Sequence, residues 1–216
     1  IGHLHLQQGD FSPAREKLEE SLQLLEAAQD PHAEQALILC DLAEVSYLQG
    51  HHQDAQETVA RVLDLELDET PVPALKARNT LGKVLLEQGA FDDAAELFRE
   101  NLDVSRDANV TPEEIRALIN LGIAHLRRGR YDDAAECYRS GLAAAESSQD
   151  YRHRAFCLQN LGVLAHWRRD YTSALQLFHD AIQTFLKLGH QSWLSWLALD
   201  LGDLYLELGD VVRAES

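Results

Sequence analysis

The stretch from Leu81 to Phe98 reads LGKVLLEQGAFDDAAELF, and a close copy, LGIAHLRRGRYDDAAECY, runs from Leu121 to Tyr138. The copies are 40 residues apart, and this spacing extends through the whole chain. Two small-residue series step by 39 to 41 residues: Gly2, Ala43, Gly82, Gly122, Gly162 and Gly202, and Ala14, Ala55, Ala94, Ala134, Ala174 and Ala214. A fixed period of this size is typical of a solenoid, in which each repeat buries its apolar face against its neighbours.

Each repeat is predicted to begin with an amphipathic helix, seen most clearly from Arg116 onward. Four residues recur at helical spacing and form its core face: Ala117, Leu118, Leu121 and His125. Gly122 lies on the same face, where a missing side chain lets another helix approach closely. Gly129 is expected to end this helix, as glycine commonly does. The same ending is expected at Gly9, Gly50, Gly89 and Gly209.

A second helix is predicted from Tyr131, after a turn of about two residues. Asp132 and Asp133 lie in its first turn, where carboxylates interact favourably with the helix dipole. The seam between the two helices is expected to be filled by bulky side chains: Leu121, Tyr131, Tyr138 and Leu142. Each repeat is therefore expected to be a helical hairpin.

This pattern resembles the tetratricopeptide repeat. The resemblance rests on the Leu-Gly pairs at 81–82, 121–122, 161–162 and 201–202 and on the Gly, aromatic and Ala residues that follow them. The resemblance implies an all-α fold, a right-handed superhelical solenoid of antiparallel helix hairpins. The usual period is about 34 residues, and the extra residues are expected between one hairpin and the next. A repeat of about 40 residues is similar to the repeats of kinesin light chains, spindle-orientation scaffolds and the sensor arms of large bacterial transcription activators.

One continuous array is expected over residues 1–216. Its repeats are predicted at about 1–30, 31–70, 71–110, 111–149, 150–189 and 190–216. The first repeat lacks most of its first helix, and the last stops early in its second helix. Solenoids need polar caps at both ends, so both ends are expected to be truncated. Self-association through the uncapped ends is a possible consequence.

The net charge of −17 disfavours nucleic acid and anionic membrane as partners, because both are bound by clustered Lys and Arg. The acidic residues are interpreted as a solvated surface, with an acidic patch that recruits a basic partner as the alternative. No apolar run approaches the ~20 residues that span a bilayer. The three cysteines form no disulfide framework and suggest a reducing compartment, so a cytoplasmic protein is expected.

The resemblance implies that the first helices line a concave groove. The residues predicted to bind a ligand there are Lys76, Asn79, Lys83, Arg116, Asn120, Arg127, Gln159, Asn160 and Trp167. Asn120 and Asn160 belong to a series of short polar residues, and an Asn can donate to and accept from an extended peptide backbone. The alternative is that these side chains bond their own backbone or a neighbouring helix.

Four basic residues on adjacent stripes, Lys76, Lys83, Arg116 and Arg127, suggest an acidic ligand segment or a C-terminal carboxylate. The alternative is that they pair with acids such as Glu44 within the groove. Trp167, with Phe156 and Trp196, is predicted to anchor an apolar part of the ligand, although aromatic residues at helical spacing are commonly core. Trp193 is expected to pack between repeats.

No metal site, cofactor site or catalytic set is predicted. The histidines offer no pair at i, i+4 with a carboxylate ligand, and the glycines mark helix ends and crossings instead of a phosphate-binding loop. The expected function is a non-enzymatic protein–protein interaction module that binds an extended peptide or protein segment. The alternative is a regulatory sensor or oligomerisation arm of a larger multidomain signalling or transcription-regulatory protein.

Overall fold

The computed structural model describes residues 2–3, 10–28, 32–65, 70–188 and 191–209, and in this part of the chain the regular structure is entirely helical. Ten helices are defined there: α1 (Phe11–Ala28), α2 (His32–Leu48), α3 (His52–Leu63), α4 (Val72–Glu87), α5 (Phe91–Asp107), α6 (Thr111–Arg127), α7 (Tyr131–Ser147), α8 (Tyr151–Trp167), α9 (Tyr171–Leu188) and α10 (Gln191–Glu207). The expectations for Gly9, for Ala214 and for the side chain of Trp196 lie outside the described residues.

The even-numbered helices are the first helices of the predicted hairpins, and the odd-numbered ones are the second helices. Contacts join α2 to α3, α4 to α5 and α8 to α9, as hairpin pairs require. The predicted glycine ends are confirmed at Gly50, Gly89, Gly129 and Gly209, which have φ angles of 78°, 79°, 72° and 74°. Glycine adopts this left-handed backbone without the steric penalty of a Cβ atom.

On both sides of α7 the connections are short, which corrects two expectations, whereas eight residues separate α3 from α4. Three residues separate α6 from α7 and three separate α7 from α8, whereas about two and a longer linking segment were expected. The helices α5, α6, α7 and α8 have 17 residues each. In these hairpins the residues that lengthen the repeat therefore lie mainly in the helices, whereas α3 has only 12 residues.

Close contact between a glycine and an aromatic ring recurs in three hairpins. A Cβ atom at Gly82 would lie 2.5 Å from Cζ of Phe98, and one at Gly162 would lie 2.6 Å from Cε1 of Phe178. Gly122 faces the ring of Tyr138 in the same way. Phe98, Tyr138 and Phe178 are all fully buried. The ring thus occupies the space that the glycine leaves, which explains why both recur at this period.

The helices form two compact units, residues 1–120 and 121–216, with the division inside α6. The N-terminal unit has a core that includes Leu39, Val45 and Val59. The C-terminal unit has one core around Phe178 and Phe185, and another around Tyr138. The division of the chain into six repeats in one continuous array remains a prediction.

Tyr131 does not fill the hairpin seam as expected. It is exposed, and its ring lies 6.2 Å from that of Trp167. Tyr131 is the first residue of α7, and side chains lean toward the N-terminal end of a helix. Its ring therefore extends beyond the helix pair instead of between the two helices.

None of the described helices combines the length and the apolar character that crossing a bilayer requires.

Candidate ligand-binding surface

In the N-terminal unit, Lys83 of α4 is paired with Glu44 of α2. Its Nζ lies 2.5 Å from both carboxylate oxygens of Glu44 and 4.9 Å from the centroid of the Tyr47 ring. The hydroxyl of Thr80 donates to the same carboxylate at 3.2 Å. Burial raises the pKa of Glu44, but the charge and hydrogen bond of Lys83, the charge of Arg116 and the bond from Thr80 together bring that pKa below its usual value.

The other two predicted cations of this unit also face carboxylates. Nζ of Lys76 lies 3.6 Å from a carboxylate oxygen of Asp41, and Nη1 of Arg116 lies 3.7 Å from one of Glu113. The expected patch of uncompensated positive charge is therefore absent from these three residues, because each has a carboxylate nearby. The two lysines instead pair with acids of a neighbouring helix, which was the alternative left open by the sequence.

Asn79 and Asn120 contact each other across the first helices α4 and α6. Nδ2 of Asn120 donates to Oδ1 of Asn79 at 2.6 Å, and the two residues are only 7% and 4% exposed. This placement corrects the expectation of an open groove position for the pair. A buried amide needs a hydrogen-bond partner, and each of these side chains provides one for the other.

An equivalent contact joins the first helices of the C-terminal unit. Nε2 of Gln159 on α8 donates to Oδ2 of Asp200 on α10 at 2.7 Å. Gln159 and Asp200 occupy the same repeat positions as Asn79 and Asn120, 41 residues apart in both cases. The polar series recognised in the sequence therefore includes two contacts that hold neighbouring first helices together.

Asn160 is different, because its side chain is half-buried and bonds locally. Its Nδ2 donates to the backbone oxygen of Phe156 at 2.8 Å, and among the described residues this is the one partner of the amide. Its carboxamide oxygen and second N–H group remain available for a ligand. The Phe156 ring packs 5.3 Å from both Phe185 and Trp193, so it is a core contact.

One position of the first helix is exposed in each of the five described first helices. It is occupied by residues of differing chemistry: Leu48, Glu87, Arg127, Trp167 and Glu207. Trp167 is 61% exposed, which is unusual for so large an apolar side chain. Arg127 has no ion-pair partner among the described residues, unlike the basic residues of the N-terminal unit discussed above.

Beside Trp167 lies a cleft of about 560 Å³ that belongs to the C-terminal unit. Its lining is polar and comes from two successive hairpin turns: Gly129, Arg130, Tyr131, Asp132, Asp133 and Arg168. Nη2 of Arg168 donates to Asp132 at 2.7 Å across it. Tyr131 and Arg168 were absent from the predicted ligand-binding residues. Tyr131 begins α7 and Arg168 directly follows α8, so both lie at hairpin turns. Because the turns of neighbouring hairpins lie side by side, these positions in the sequence could have indicated a shared surface.

Within the described part of the chain, no group of three or more metal-ligating side chains is close enough to hold an ion.

Several solved structures share this fold at low sequence identity. A Rap protein in complex with the competence and sporulation factor has a TM-score of 0.84 and 18% identity, over 99% of this chain and 60% of that one. PlcR of Bacillus thuringiensis, in complex with the peptide PapR7 and DNA, has a TM-score of 0.78 and 12% identity, over 91% and 71% of the chains. A putative kinesin light chain of Podospora anserina with nearly identical repeats has a TM-score of 0.59 and 17% identity, over 87% and 92%.

A search of curated proteins gave no significant match. Family models, in contrast, match most of the sequence. One tetratricopeptide repeat model matches residues 1–65 and 74–147, a second matches 40–103 and a third matches 155–188. These matches agree with the hairpins, the glycine ends and the glycine–aromatic contacts described above. The chain belongs to the tetratricopeptide repeat family.

Proposed function

We propose that this chain is a non-enzymatic protein-interaction module that binds an extended peptide or protein segment along its first helices. The observation that carries the proposal is the repeat position held by Leu48, Glu87, Arg127, Trp167 and Glu207, which is exposed in each described first helix. Within the C-terminal unit this position presents a row of three side chains on successive first helices: Arg127, Trp167 and Glu207. Because the chemistry changes along the row, it would select a ligand by the order of its side chains.

In the C-terminal unit, Trp167 is the proposed anchor. Large aromatic side chains commonly contribute most of the binding energy of an interface, and this one lies next to Tyr131 at the edge of the polar cleft. Asn160 would bond a ligand backbone with its remaining donor and acceptor. Arg127 occupies the same repeat position as Trp167, one repeat earlier, and would pair with a ligand carboxylate.

In the N-terminal unit, an acidic ligand segment would have to compete with Asp41, Glu44 and Glu113 for the three basic residues. Exchanging one carboxylate for another brings little net free energy. We therefore assign charge recognition of an acidic segment to Arg127. The proposed role of Asn79, Asn120 and Gln159 is to hold the first helices in register beneath the ligand.

The neighbouring structures support this role by analogy. PlcR was solved with the peptide PapR7, and a Rap protein was solved with the competence and sporulation factor. Both share the fold of this chain, and at 12% and 18% identity they are informative about fold only. The comparison makes a peptide or protein segment the ligand class to test first.

The experiment begins with ligands selected from a displayed library of random peptides. Their dissociation constants are then measured by fluorescence anisotropy for the parent and for the variants Trp167→Ala, Arg127→Ala and Asn160→Ala. Trp167→Ala is expected to weaken binding by about thirtyfold, as for a hot-spot residue. The matched controls are Glu136→Ala and Arg139→Ala, both exposed on α7 of the same unit, and they should leave affinity unchanged. The proposal fails if these controls weaken binding as much as Trp167→Ala.

A regulatory arm of a larger protein is the second candidate, favoured by the PlcR complex, which contains DNA as well as a peptide. In this case the ligand would change the association state of the chain. Light scattering with and without a selected peptide separates the two roles. A mass that stays constant on peptide binding favours the simple binding module, and a mass that changes favours the regulatory arm.

A further inference from the structure

Arginines are concentrated at the two hairpin turns of the C-terminal unit. The turn between α6 and α7, residues 128–130, reads RGR, and the turn between α8 and α9, residues 168–170, reads RRD. The described hairpin turns of the N-terminal unit read QGH at residues 49–51 and QGA at residues 88–90, without Lys or Arg. Arg127, the last residue of α6, lies beside the first of the arginine turns. Five of the 19 basic residues of the chain therefore lie at these two turns.

The two arginine turns share one surface. Arg130 and Arg168 both line the polar cleft of about 560 Å³, and Nη2 of Arg168 donates to Asp132 at 2.7 Å. Beside the cleft, the exposed rings of Tyr131 and Trp167 lie 6.2 Å apart. The turn surface is defined by these two rings and by four exposed arginines: Arg127, Arg130, Arg168 and Arg169. It therefore combines cationic groups with aromatic contact area.

The turn surface has more positive charge than its own acids neutralise. Its two segments, residues 127–133 and 167–171, contain five arginines and three aspartates, a formal net charge of +2, whereas the whole chain has −17. Arg127, Arg130 and Arg169 form no ion pair with any described residue. The predicted lysines of the N-terminal unit, in contrast, each face a carboxylate. A ligand carboxylate at the turn surface would therefore meet guanidinium groups that are not already paired.

The ion pair between Arg168 and Asp132 does not block this surface. The side chain of Asp132 is 99% exposed and that of Arg168 is 39% exposed, and ion pairs in such exposed positions contribute little to stability. Asp132 is already hydrated, so releasing it to water carries almost no desolvation cost. The planar guanidinium of Arg168 can then form two parallel hydrogen bonds with a ligand carboxylate. A ligand can thus recruit this arginine in addition to the unpaired ones.

We propose that the turn surface binds an acidic segment of a partner protein in which several carboxylates lie next to one large apolar side chain. The carboxylates pair with the arginines, and the apolar side chain packs on Trp167 and Tyr131. This inference rests on the proposed function, because Trp167 belongs to both surfaces, and it extends the site from the first helices to the hairpin turns.

The charge of the chain argues against two other occupants. A nucleic acid is a long polyanion, and the acidic remainder of the chain would repel it beyond the turn surface. A second copy of the chain brings a net charge of −17 of its own, so the two copies repel each other. A short acidic segment places its charge at the arginines alone and avoids this repulsion.

The test uses designed peptides as probes. The acidic probe is a short fluorescein-labelled peptide with one tryptophan flanked on each side by a pair of glutamates. Matched probes carry glutamines or lysines in place of the glutamates, and each probe is titrated with the intact chain. Fluorescence anisotropy should show at least about tenfold weaker binding of the glutamine probe than of the acidic probe. The affinity for the acidic probe should also fall with added salt.

Variants of the protein locate the site. Arg130→Glu should weaken binding of the acidic probe by about tenfold and strengthen binding of the lysine probe, a reversal that loss of folding cannot mimic. Arg139→Glu is the matched control, because it makes the same change in charge at an exposed position of α7 that does not line the cleft. It should leave both affinities within about twofold of those of the parent.

A double-mutant cycle between protein and probe tests the aromatic contact. An acidic probe with alanine in place of its tryptophan should bind the parent about tenfold more weakly. On the Trp167→Ala variant, the two probes should bind nearly alike, because the contact is then absent in both. A tryptophan effect that persists unchanged in this variant would contradict the contact with Trp167.

Four further results would overturn the proposal. The first is equal affinity for the acidic and glutamine probes, and the second is equal weakening of the acidic probe by Arg130→Glu and Arg139→Glu. The third is a mass in light scattering that rises with protein concentration without probe and is restored to that of the monomer by Arg130→Glu, which would make a second copy the occupant. The fourth is a single-stranded oligonucleotide that binds more tightly than the acidic probe and is weakened by Arg130→Glu.

The outcomes also separate this inference from the proposed function. Library-selected peptides that depend on Trp167, together with an acidic probe that does not bind, would support the extended ligand and refute the acidic segment. An acidic probe that depends on Arg130, together with library-selected peptides that Trp167→Ala does not weaken, would support the turn surface and refute the extended-ligand anchor. Thermal unfolding of each variant, followed by circular dichroism, verifies that the compared proteins are folded.

Discussion

Gly122 lies directly against the ring of Tyr138, and a Cβ atom at residue 122 would stand 2.7 Å from Cδ1 of that ring. Tyr138 is fully buried in α7 and cannot swing into solvent. Real Cβ contacts are not this short, so a larger residue must displace the ring or separate α6 from α7. The glycine is thus required by the neighbouring ring, and not by its own backbone conformation.

Gly122→Ala is therefore expected to lower the free energy of unfolding by about 1–3 kcal/mol, as overpacking typically does, and Gly122→Leu by more. The intrinsic helix preference of alanine acts in the opposite direction by about 1 kcal/mol, so a loss identifies the steric effect. Urea unfolding followed by circular dichroism measures it. Ser140→Ala, at an exposed position of α7, is the control and should be neutral or slightly stabilising. A Gly122→Leu variant as stable as the parent would contradict the assignment.

The Lys83–Glu44 pair predicts how stability depends on pH. The pKa of Glu44 is lowered in the folded protein from its usual 4.5, so its contribution is present above pH 4.5 and is lost as the pH falls through the lower folded value. In Lys83→Met, burial would dominate and raise that pKa. The unfolding free energy of the variant should then fall as the pH rises above about 4.5, which is the opposite trend.

At neutral pH, Lys83→Met should be less stable than the parent by about 1–3 kcal/mol, because the Glu44 carboxylate loses its main partner. Adding Glu44→Leu should recover most of this loss, since both charged groups are then replaced by apolar ones. Urea unfolding of the parent, the two single variants and the double variant at several pH values completes the cycle. A parallel pH dependence in the parent and Lys83→Met would refute the proposed coupling.

The two asparagines that looked equivalent in the sequence should behave differently. Asn120→Ala leaves the buried oxygen of Asn79 without its donor, which costs about 1–3 kcal/mol of stability. Asn160→Ala removes a local bond to the Phe156 oxygen from a half-buried site and should cost less. Chemical unfolding of both variants tests the contrast. Equal losses would mean that the buried Asn79–Asn120 hydrogen bond contributes no more to the free energy of unfolding than the local bond of Asn160.

The features that sequence predicted well are those set by local geometry. Gly129 ends α6 because a left-handed residue is needed there, and this need can be read from position alone. The fixed spacing of Gly122 and Tyr138 predicted a close helix crossing and a filled seam, although it did not predict that these two residues contact each other. The extra residues of the longer repeat were wrongly expected between hairpins, on both sides of the hairpin of α8 and α9, because a linking segment and a longer helix lengthen the period equally. Helical periodicity does not locate a helix end to within a few residues.

The candidate site was less predictable because its contacts depend on how neighbouring helices are rotated and offset. Whether Asn120 faces a ligand or Asn79 is decided by a small rotation of α6, which leaves no trace in the local sequence. The same holds for Lys83, whose partner lies 39 residues earlier. The sequence supplied both alternatives for such residues, and only the positions of the helices selected between them. The exposure of Trp167 was anticipated, although its contact with Tyr131 was not.

Asp150 at the start of α8 provides a test of helix capping. Its Oδ1 accepts the backbone N–H of His153 at 3.0 Å, and its Oδ2 lies 2.5 Å from the His153 ring nitrogen. Burial raises the pKa of Asp150, but the bonds from His153 outweigh this effect and lower it below 3.8. Asp150→Ala should therefore reduce stability by about 1 kcal/mol at neutral pH. The difference should shrink as the pH falls below 3.8, where the parent loses its charged cap.

Asp150→Asn serves as the matched variant, because its side-chain oxygen can still accept the His153 N–H without a charge. It should be more stable than Asp150→Ala at neutral pH, and its difference from the parent should also diminish in acid. Urea unfolding at about pH 7 and at about pH 3 gives both comparisons. An Asp150→Ala variant with the stability of the parent at neutral pH would show that the cap is dispensable.

The three thiols should differ sharply in reactivity. Burial raises the pKa of both Cys40 and Cys157 to about 12, against an opposing effect of Lys76 at Cys40. At about pH 8, a thiol with such a pKa is about one part in ten thousand thiolate, which is the reactive form. Cys137 is only partly buried. Ellman's reagent should therefore label one thiol rapidly in the native chain and all three in urea, and Cys137→Ser should abolish the rapid phase. Rapid labelling of two or more thiols in the folded parent would show that α2 or α8 opens on the timescale of the reaction, contrary to the packing described for both.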